Sequence, residues 1–276
     1  MKKRIIILIT STIFLWQVPV HAQEEKVLEE VLKLEEERGP TLNFGADIMS
    51  RYIWRGYDLG NSPAIQPNIY FFSWEGLNIG AWGSYAFAGH SIMVDDTTLL
   101  DMGNYSEVDL YISYTYKWFT LMFFDYFTLN GLNPNDGNRY FDYNNNTTGH
   151  AFEVSLAFEG GEKFPLILSA STVVYGDDKN QDSTGVYGYG DKNNFSTYFE
   201  AAYRFQFKKI ELELKPFIGG TPIGSSWYGP YGGIINVGLT ATKEIPVTEK
   251  YSFPVQASLI TNPQAQSIFL VFGISF

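Results

Sequence analysis

The chain has 276 residues, no cysteine and a formal net charge of −11, and 17% of its residues are aromatic. Without cysteine there are no disulfides, no thiolate metal sites and no lipidated cysteine at a cleavage site. The acidic balance disfavours nucleic acid or an anionic membrane surface as a partner.

The N-terminus reads as a secretory signal peptide over residues 1–22. Lys2, Lys3 and Arg4 form a basic start, and residues 5–16 are apolar apart from Thr10, Ser11 and Thr12. Val20-His21-Ala22 ends the segment on a small residue suited to cleavage. The apolar run is short of the ~20 residues a membrane-spanning helix needs. Cleavage makes the mature chain three units more negative. Export, abundant aromatics and no later apolar run of about 20 residues leave two classes, a secreted β-protein or a transmembrane β-barrel.

Residues 23–40 are rich in Glu and in helix-forming residues. Val27, Leu28, Val31, Leu32 and Leu34 make a narrow apolar stripe, and Gly39-Pro40 stops it. The expectation is a short amphipathic helix, periplasmic or plugging the lumen.

From Thr41 the period changes to two, the signal of a half-buried strand. Twelve runs follow, at 41–54, 63–73, 77–87, 105–118, 119–128, 150–158, 164–175, 194–205, 209–218, 233–242, 251–260 and 266–276. Short connectors at 74–76, 117–118, 159–163 and 206–208 alternate with longer ones at 88–104, 129–149, 176–193 and 219–232. Two connectors blur the pattern, 244–250 on the short side and 261–265 on the long side. Short turns at one end and long loops at the other are the outer-membrane pattern. The expected fold is all-β, a transmembrane antiparallel up-and-down barrel of about twelve strands spanning residues 41–276.

One face of these strands is apolar and ends in aromatics. Tyr116, Trp118, Phe158, Phe205 and Phe276 fall at the short-turn end, and Tyr52, Trp54, Tyr85 and Tyr126 near the long loops. Two aromatic girdles around an aliphatic band match the interfaces of a bilayer. The last strand ends on Phe276 and resembles the terminal signal read by the barrel-insertion machinery.

Strand parity assigns Asp47, Arg51, Glu107, Asp109, Asp125, Glu153, Glu200, Arg204, Glu211, Glu213 and Lys215 to the lumen. Acids outnumber bases there, so an open pore is expected to prefer cations. Inward Tyr111, Phe123, Tyr198 and Phe217 offer the competing outcome of a filled barrel. Arg55 reads either as an interfacial anchor or as a partner of luminal carboxylates at the pore mouth, with Gly56 allowing a tight turn or a close backbone approach.

Catalysis is not expected. His150 points outward at the rim by parity, with no serine to pair with it from sequence, and His90 lies in a loop with Ser91 adjacent in sequence but not necessarily in space. Residues 177–182 faintly echo a calcium loop without its glycine or distal glutamate, and no cofactor or metal is expected.

Ser50-Arg51-Tyr52-Ile53-Trp54-Arg55-Gly56, followed by Pro63-Ala64-Ile65-Gln66, resembles the opening motif of the TorF-type porins, an uncharacterised family of bacterial outer-membrane barrels. The resemblance implies a channel-forming barrel. The expected function is therefore passive diffusion of small solutes across the outer membrane of a Gram-negative bacterium. The expected surroundings are outer-membrane lipid and lipopolysaccharide. The competing class is a non-conducting structural or surface-binding barrel that acts through its loops.

Overall fold

The computed structural model describes residues 41–276 apart from 90, 94–98, 102, 129–138 and 249–250. The expected signal peptide and the expected helix at 23–40 lie outside the described residues, and no helix occurs among them. Twelve strands form the wall: β1 Asn43–Met49, β2 Ala64–Trp74, β3 Leu77–Ala86, β4 Ser106–Tyr116, β5 Phe119–Thr128 and β6 His150–Glu159. They continue as β7 Leu166–Gly176, β8 Thr197–Tyr203 prolonged by Phe205–Phe207, β9 Leu212–Thr221, β10 Gly233–Thr248, β11 Tyr251–Asn262 and β12 Ser267–Ser275. Every strand pairs antiparallel with its sequence neighbour, and β1 also pairs with β12, so the sheet closes on itself. Two small hairpins, Ile53–Trp54 with Tyr57–Asp58 and Ser91–Met93 with Leu99–Asp101, stand apart from the wall.

Closure sets what each strand face can be. The outer face carries Leu110, Ile112, Leu121, Leu156, Phe199, Leu259, Leu270 and Phe272, all exposed. The inner face carries Glu153, Ser155, Ser171 and Thr240, all nearly inaccessible. A water-soluble protein buries its apolar side chains and exposes polar ones. This wall does the reverse, the arrangement of a barrel with lipid outside and polar groups inside. Tyr116, Trp118, Phe205 and Phe276 are exposed at the short-turn end, as the girdle expectation has them.

The tight turns fix register. Glu75 and Gly76 both take positive φ, 47° and 82°, in the two-residue loop between β2 and β3, as a right-twisted hairpin favours. A Cβ on Gly76 would sit 2.4 Å from the Thr115 carbonyl oxygen, so the position needs glycine. The turn at Lys117-Trp118 pairs Tyr116 with Phe119, Ile112 with Phe123 and Leu110 with Asp125.

That register corrects three expectations. Ile112 and Leu110 face outward, so their partners Phe123 and Asp125 do too, while Tyr126 faces the lumen and is buried. Asp125 is thus not luminal, Phe123 does not fill the barrel, and Tyr126 is no part of the outer girdle. A fourth correction concerns the first strand. It was expected to run to Trp54, but β1 ends at Met49, and Tyr52 and Trp54 are buried inside rather than set in the outer girdle. Glu211 sits exposed in the turn before β9 with φ 52°, so it does not line the lumen either. At the other end β10 runs on to Thr248, through most of the connector expected at 244–250.

The inverted burial makes a direct test. Ile112→Arg places a charge in the middle of the outer face and should destabilise the barrel by about 2–4 kcal/mol. Urea unfolding in lipid vesicles measures this, and an unchanged midpoint would contradict a lipid-facing wall.

Candidate functional site

At the long-loop end the chain leaves the wall and crosses the lumen. Ser50 makes the last contacts with β12: its amide donates to the Phe272 carbonyl and its Oγ accepts from the Phe272 amide, both at 2.8 Å. The following residues fold inward as the hairpin Ile53–Trp54 with Tyr57–Asp58, closed by Leu59 N donating to Tyr52 O at 3.0 Å. Arg51 ties the base of this segment by donating to Asp58 and Asn61. The segment spans from one wall to the other. Tyr52 packs against Trp82 and Tyr105 at ring centroid distances of 5.3 and 5.9 Å. Ile53 joins Ile167, Phe217, Ile260 and Val271 on luminal faces from β7 to β12.

The tip carries the strongest interaction. Arg55 is 1% exposed and grips Glu153 of β6 with two nitrogens, at 2.6 and 2.8 Å. It also donates to the Tyr228 hydroxyl. Its guanidinium carbon lies 4.5 Å from the Trp54 ring centroid and 4.7 Å from that of Tyr198. The paired fork geometry is what a buried arginine–carboxylate pair requires. Tyr126 and Ser155 complete the Glu153 shell, at 3.1 and 2.8 Å. Of the two readings of Arg55, the geometry selects the partner of a luminal carboxylate.

Gly56 makes the approach possible. Its φ is 88°, and a Cβ there would fall 2.0 Å from the Ile235 carbonyl oxygen of β10. The loop between β9 and β10 also folds in, and Trp54 meets Trp227 and Tyr228 at 5.5 and 5.8 Å. Burial pushes the Tyr228 phenol above its ordinary range, so it stays neutral. Together these rings form a constriction at the mouth.

The remaining luminal charges fall in two groups. Near the mouth, Glu107 and Asp109 on β4 are buried, and Glu200 accepts from Tyr198 and Asn236 at 2.5 and 3.0 Å. Toward the short turns, Arg204 binds Glu159 and lies 3.4 Å from Glu213, with Lys215 on the same face of β9. Asp47 of β1 faces Gln66 and Ser275 across both neighbouring strands. Of the residues assigned to the lumen from sequence, Asp47, Glu107, Asp109, Glu153, Glu200, Arg204, Glu213 and Lys215 fall on the inner face. Arg51 lies at the mouth. Glu159, Asn236, Trp227 and Tyr228 were missed. Trp227-Tyr228 had a signal, an aromatic pair inside a loop of Gly, Ser and Pro.

Asp125 has a different partner. On the outer face His150 Nδ1 lies 2.6 Å from Asp125 Oδ1, and Nε2 donates to the Tyr140 carbonyl oxygen at 2.6 Å. Tyr143 and Phe127 cover the ring, which is fully buried. The second nitrogen of this His–Asp pair is therefore spent on backbone. The pair pins the loop that follows β5. In the next loop Asp178 accepts from the Ser196 amide and hydroxyl at 2.8 and 2.5 Å. Burial pushes its carboxyl above the usual range, against those two bonds.

No family model matches the chain. No curated protein matches it in sequence. Among solved structures, a KdgM porin is similar with a TM-score of 0.44 at 7% identity, over 84% of this chain and 98% of that one. A second, from a study titled "Unveiling the Mechanism Behind the in-meso Crystallization of Membrane Proteins", is similar with a TM-score of 0.40 at 7% identity, over 84% of this chain and 82% of that one.

The tip pair can be tested directly. Arg55→Ala strands the Glu153 carboxylate in a buried setting and should cost about 3–5 kcal/mol, whereas the double change Arg55→Met with Glu153→Met should cost much less. Equilibrium unfolding of the three proteins in one detergent decides it.

Proposed function

We propose that the protein is an outer-membrane channel for passive diffusion of small solutes, with a constricted mouth and a preference for cations. The observation that carries this reading is a closed wall with apolar residues outside and a charged lumen within. Twelve strands fall between eight-stranded barrels, whose interiors side chains fill, and porins of sixteen or more, which hold water. The inward segment supplies what such a width needs for selectivity, a narrowing made of the chain itself.

Charge supports the cation preference. Glu153 is matched by Arg55, and Arg204 lies between Glu159 and Glu213, one cation for two acids. Asp47, Glu107 and Asp109 form no ion pair among the described residues, and Glu200 has Lys215 as its charged neighbour. Carboxylates left unmatched along a pore attract cations. The motif Ser50, Tyr52, Trp54, Arg55 and Gly56, which resembles the TorF-type porins, makes the constriction itself, and this supports the channel reading further. In the same reading residues 1–22 are removed on export and Phe276 serves recognition by the insertion machinery. Lipid and lipopolysaccharide then surround the wall.

The competing reading, a non-conducting barrel that acts through its loops, draws on the same constriction, since the rings from Tyr52 to Tyr57 reach across the lumen. Planar-bilayer recording separates the two. The wild-type barrel should conduct with a cation-selective reversal potential, and replacing residues 52–57 by a Gly/Ser linker should raise unit conductance several-fold. Silence from both proteins would favour the non-conducting barrel. An anion-selective potential would overturn the charge argument.

A further inference from the structure

Near the mouth, one cluster of oxygens has no counter-charge. Glu107 and Asp109 are successive luminal residues of β4. Across the strand pair, Ser84 of β3 stands opposite Glu107 and Trp82 opposite Asp109. All three polar residues are deeply buried, Glu107 at 6%, Asp109 at 1% and Ser84 at 3% exposure. The Tyr105 hydroxyl donates to Glu107 at 2.8 Å. Tyr52, from the inward segment, packs on Tyr105 and Trp82 at ring centroid distances of 5.9 and 5.3 Å, and so stands over the same pair.

Two carboxylates so placed require either a proton between them or a cation. Among the described residues no lysine, arginine or histidine forms an ion pair with either one. A buried charge without a partner is costly. Two buried oxygens here lack any hydrogen-bond partner, Asp109 Oδ1 and, independently of the acids, the Ser84 hydroxyl. Ser84 carries no charge, so its unmet lone pairs are not explained by repulsion between carboxylates. Other acids contrast with this pair, because Asp178 spends its oxygens on Ser196.

We infer that Glu107, Asp109 and Ser84, with the hydroxyls of Tyr52 and Tyr105 beside them, bind a hard divalent cation of the calcium class. The donors are all oxygen, and neither nitrogen nor sulfur ligands are at hand to favour a softer metal. Two carboxylates balance a double positive charge. No group of three or more His, Cys, Asp or Glu placed to hold a metal ion occurs among the described residues, so hydroxyls make up the rest of this donor set. A bound cation ties Tyr52, and with it the inward segment, to the wall at β3 and β4. The site does not depend on conduction, so binding is its test.

The probe is terbium(III), a luminescent stand-in for calcium that Trp82, Tyr52 and Tyr105 are placed to sensitise. The full barrel, refolded in zwitterionic detergent free of lipopolysaccharide and stripped with chelator, is titrated while aromatic residues are excited. Saturable emission at one ion per chain, reversed by excess calcium, is expected. Asp109→Asn or Glu107→Gln should weaken binding at least tenfold, and Ser84→Ala, which alters no charge, about threefold. Asp177→Asn with Asp182→Asn, in a surface loop, should leave it unchanged. Heat-modifiable electrophoretic mobility establishes that each variant is folded. Emission that never saturates, or that survives unchanged in folded Glu107→Gln and Ser84→Ala barrels, overturns the site and leaves a carboxyl pair sharing a proton. A silent barrel in bilayer recording with intact terbium binding would count against the channel and not against the site.

Discussion

Closure of the sheet between β1 and β12 is the constraint on which the rest depends. In a hydrocarbon environment every backbone amide must find a partner within the protein, and only a barrel without edges achieves this with strands. Here the closing seam is short. Three residue pairs, from Asp47–Ser275 to Met49–Gly273, are flanked by reciprocal bonds between Ala46 and Phe276 and by Ser50 on Phe272. The Ser50 hydroxyl accepts the Phe272 amide, a bond that a continuing β1 would have made with its backbone. A side-chain oxygen in place of a carbonyl lets the chain turn away from the wall at this point. The seam and the constriction are therefore one feature of the sequence, since ending β1 early frees the residues that cross the lumen.

Once freed, those residues must offset the burial of a guanidinium. A buried ion pair is not stabilising in itself; it is tolerated when its geometry is good and its remaining groups are occupied. Glu153 meets that condition through Arg55, Tyr126 and Ser155. Arg55 meets it less fully, because its Nε has no partner, but rings of Trp54 and Tyr198 face the cation at 4.5 and 4.7 Å. The backbone at the tip is also held in the left-handed region, at φ 48° for Arg55 and 88° for Gly56. A non-glycine residue in that region persists where its surroundings determine it strongly, and the paired fork on Glu153 does so. Specific placement, more than net stability, is what this pair contributes.

How much of this was legible in the sequence differs from residue to residue. Alternation, turn residues and the sorting of connectors by length were enough to find twelve strands, because each depends on local chemistry. The wrong assignments came from reading chemistry ahead of register. Asp125 was placed inside because it is charged. Yet the two-residue turn at Lys117-Trp118, with Leu110 and Ile112 facing out, already required Asp125 to face out with them. Its partner His150 is 25 residues away, and that distance hid the compensation. Tyr52 and Trp54 failed for another reason. An inward hairpin keeps the period of two, and an aromatic suits a membrane interface and a packed lumen equally well. Only Arg55-Gly56, a cation beside a residue free to take positive φ, marked a turn inside the run expected to be one strand, and that turn is the tip of the inward hairpin.

The two groups of luminal charge do different physical work. Near the short turns, Arg204 and Lys215 together balance Glu159 and Glu213, and partial exposure of Arg204 and Glu213 keeps that end hydrated. Near the mouth, aromatic rings from the inward segment and from Trp227-Tyr228 exclude water around Glu107, Asp109 and Glu153. The effective dielectric is lower there, so each charge is harder to leave unmatched. Glu153 is matched by the chain itself. Glu107 and Asp109 are not, although Tyr52, only three residues before Arg55, packs on Tyr105, the donor to Glu107. One short segment thus touches both acidic positions, closing one with its own cation and leaving the other to be balanced from outside the chain.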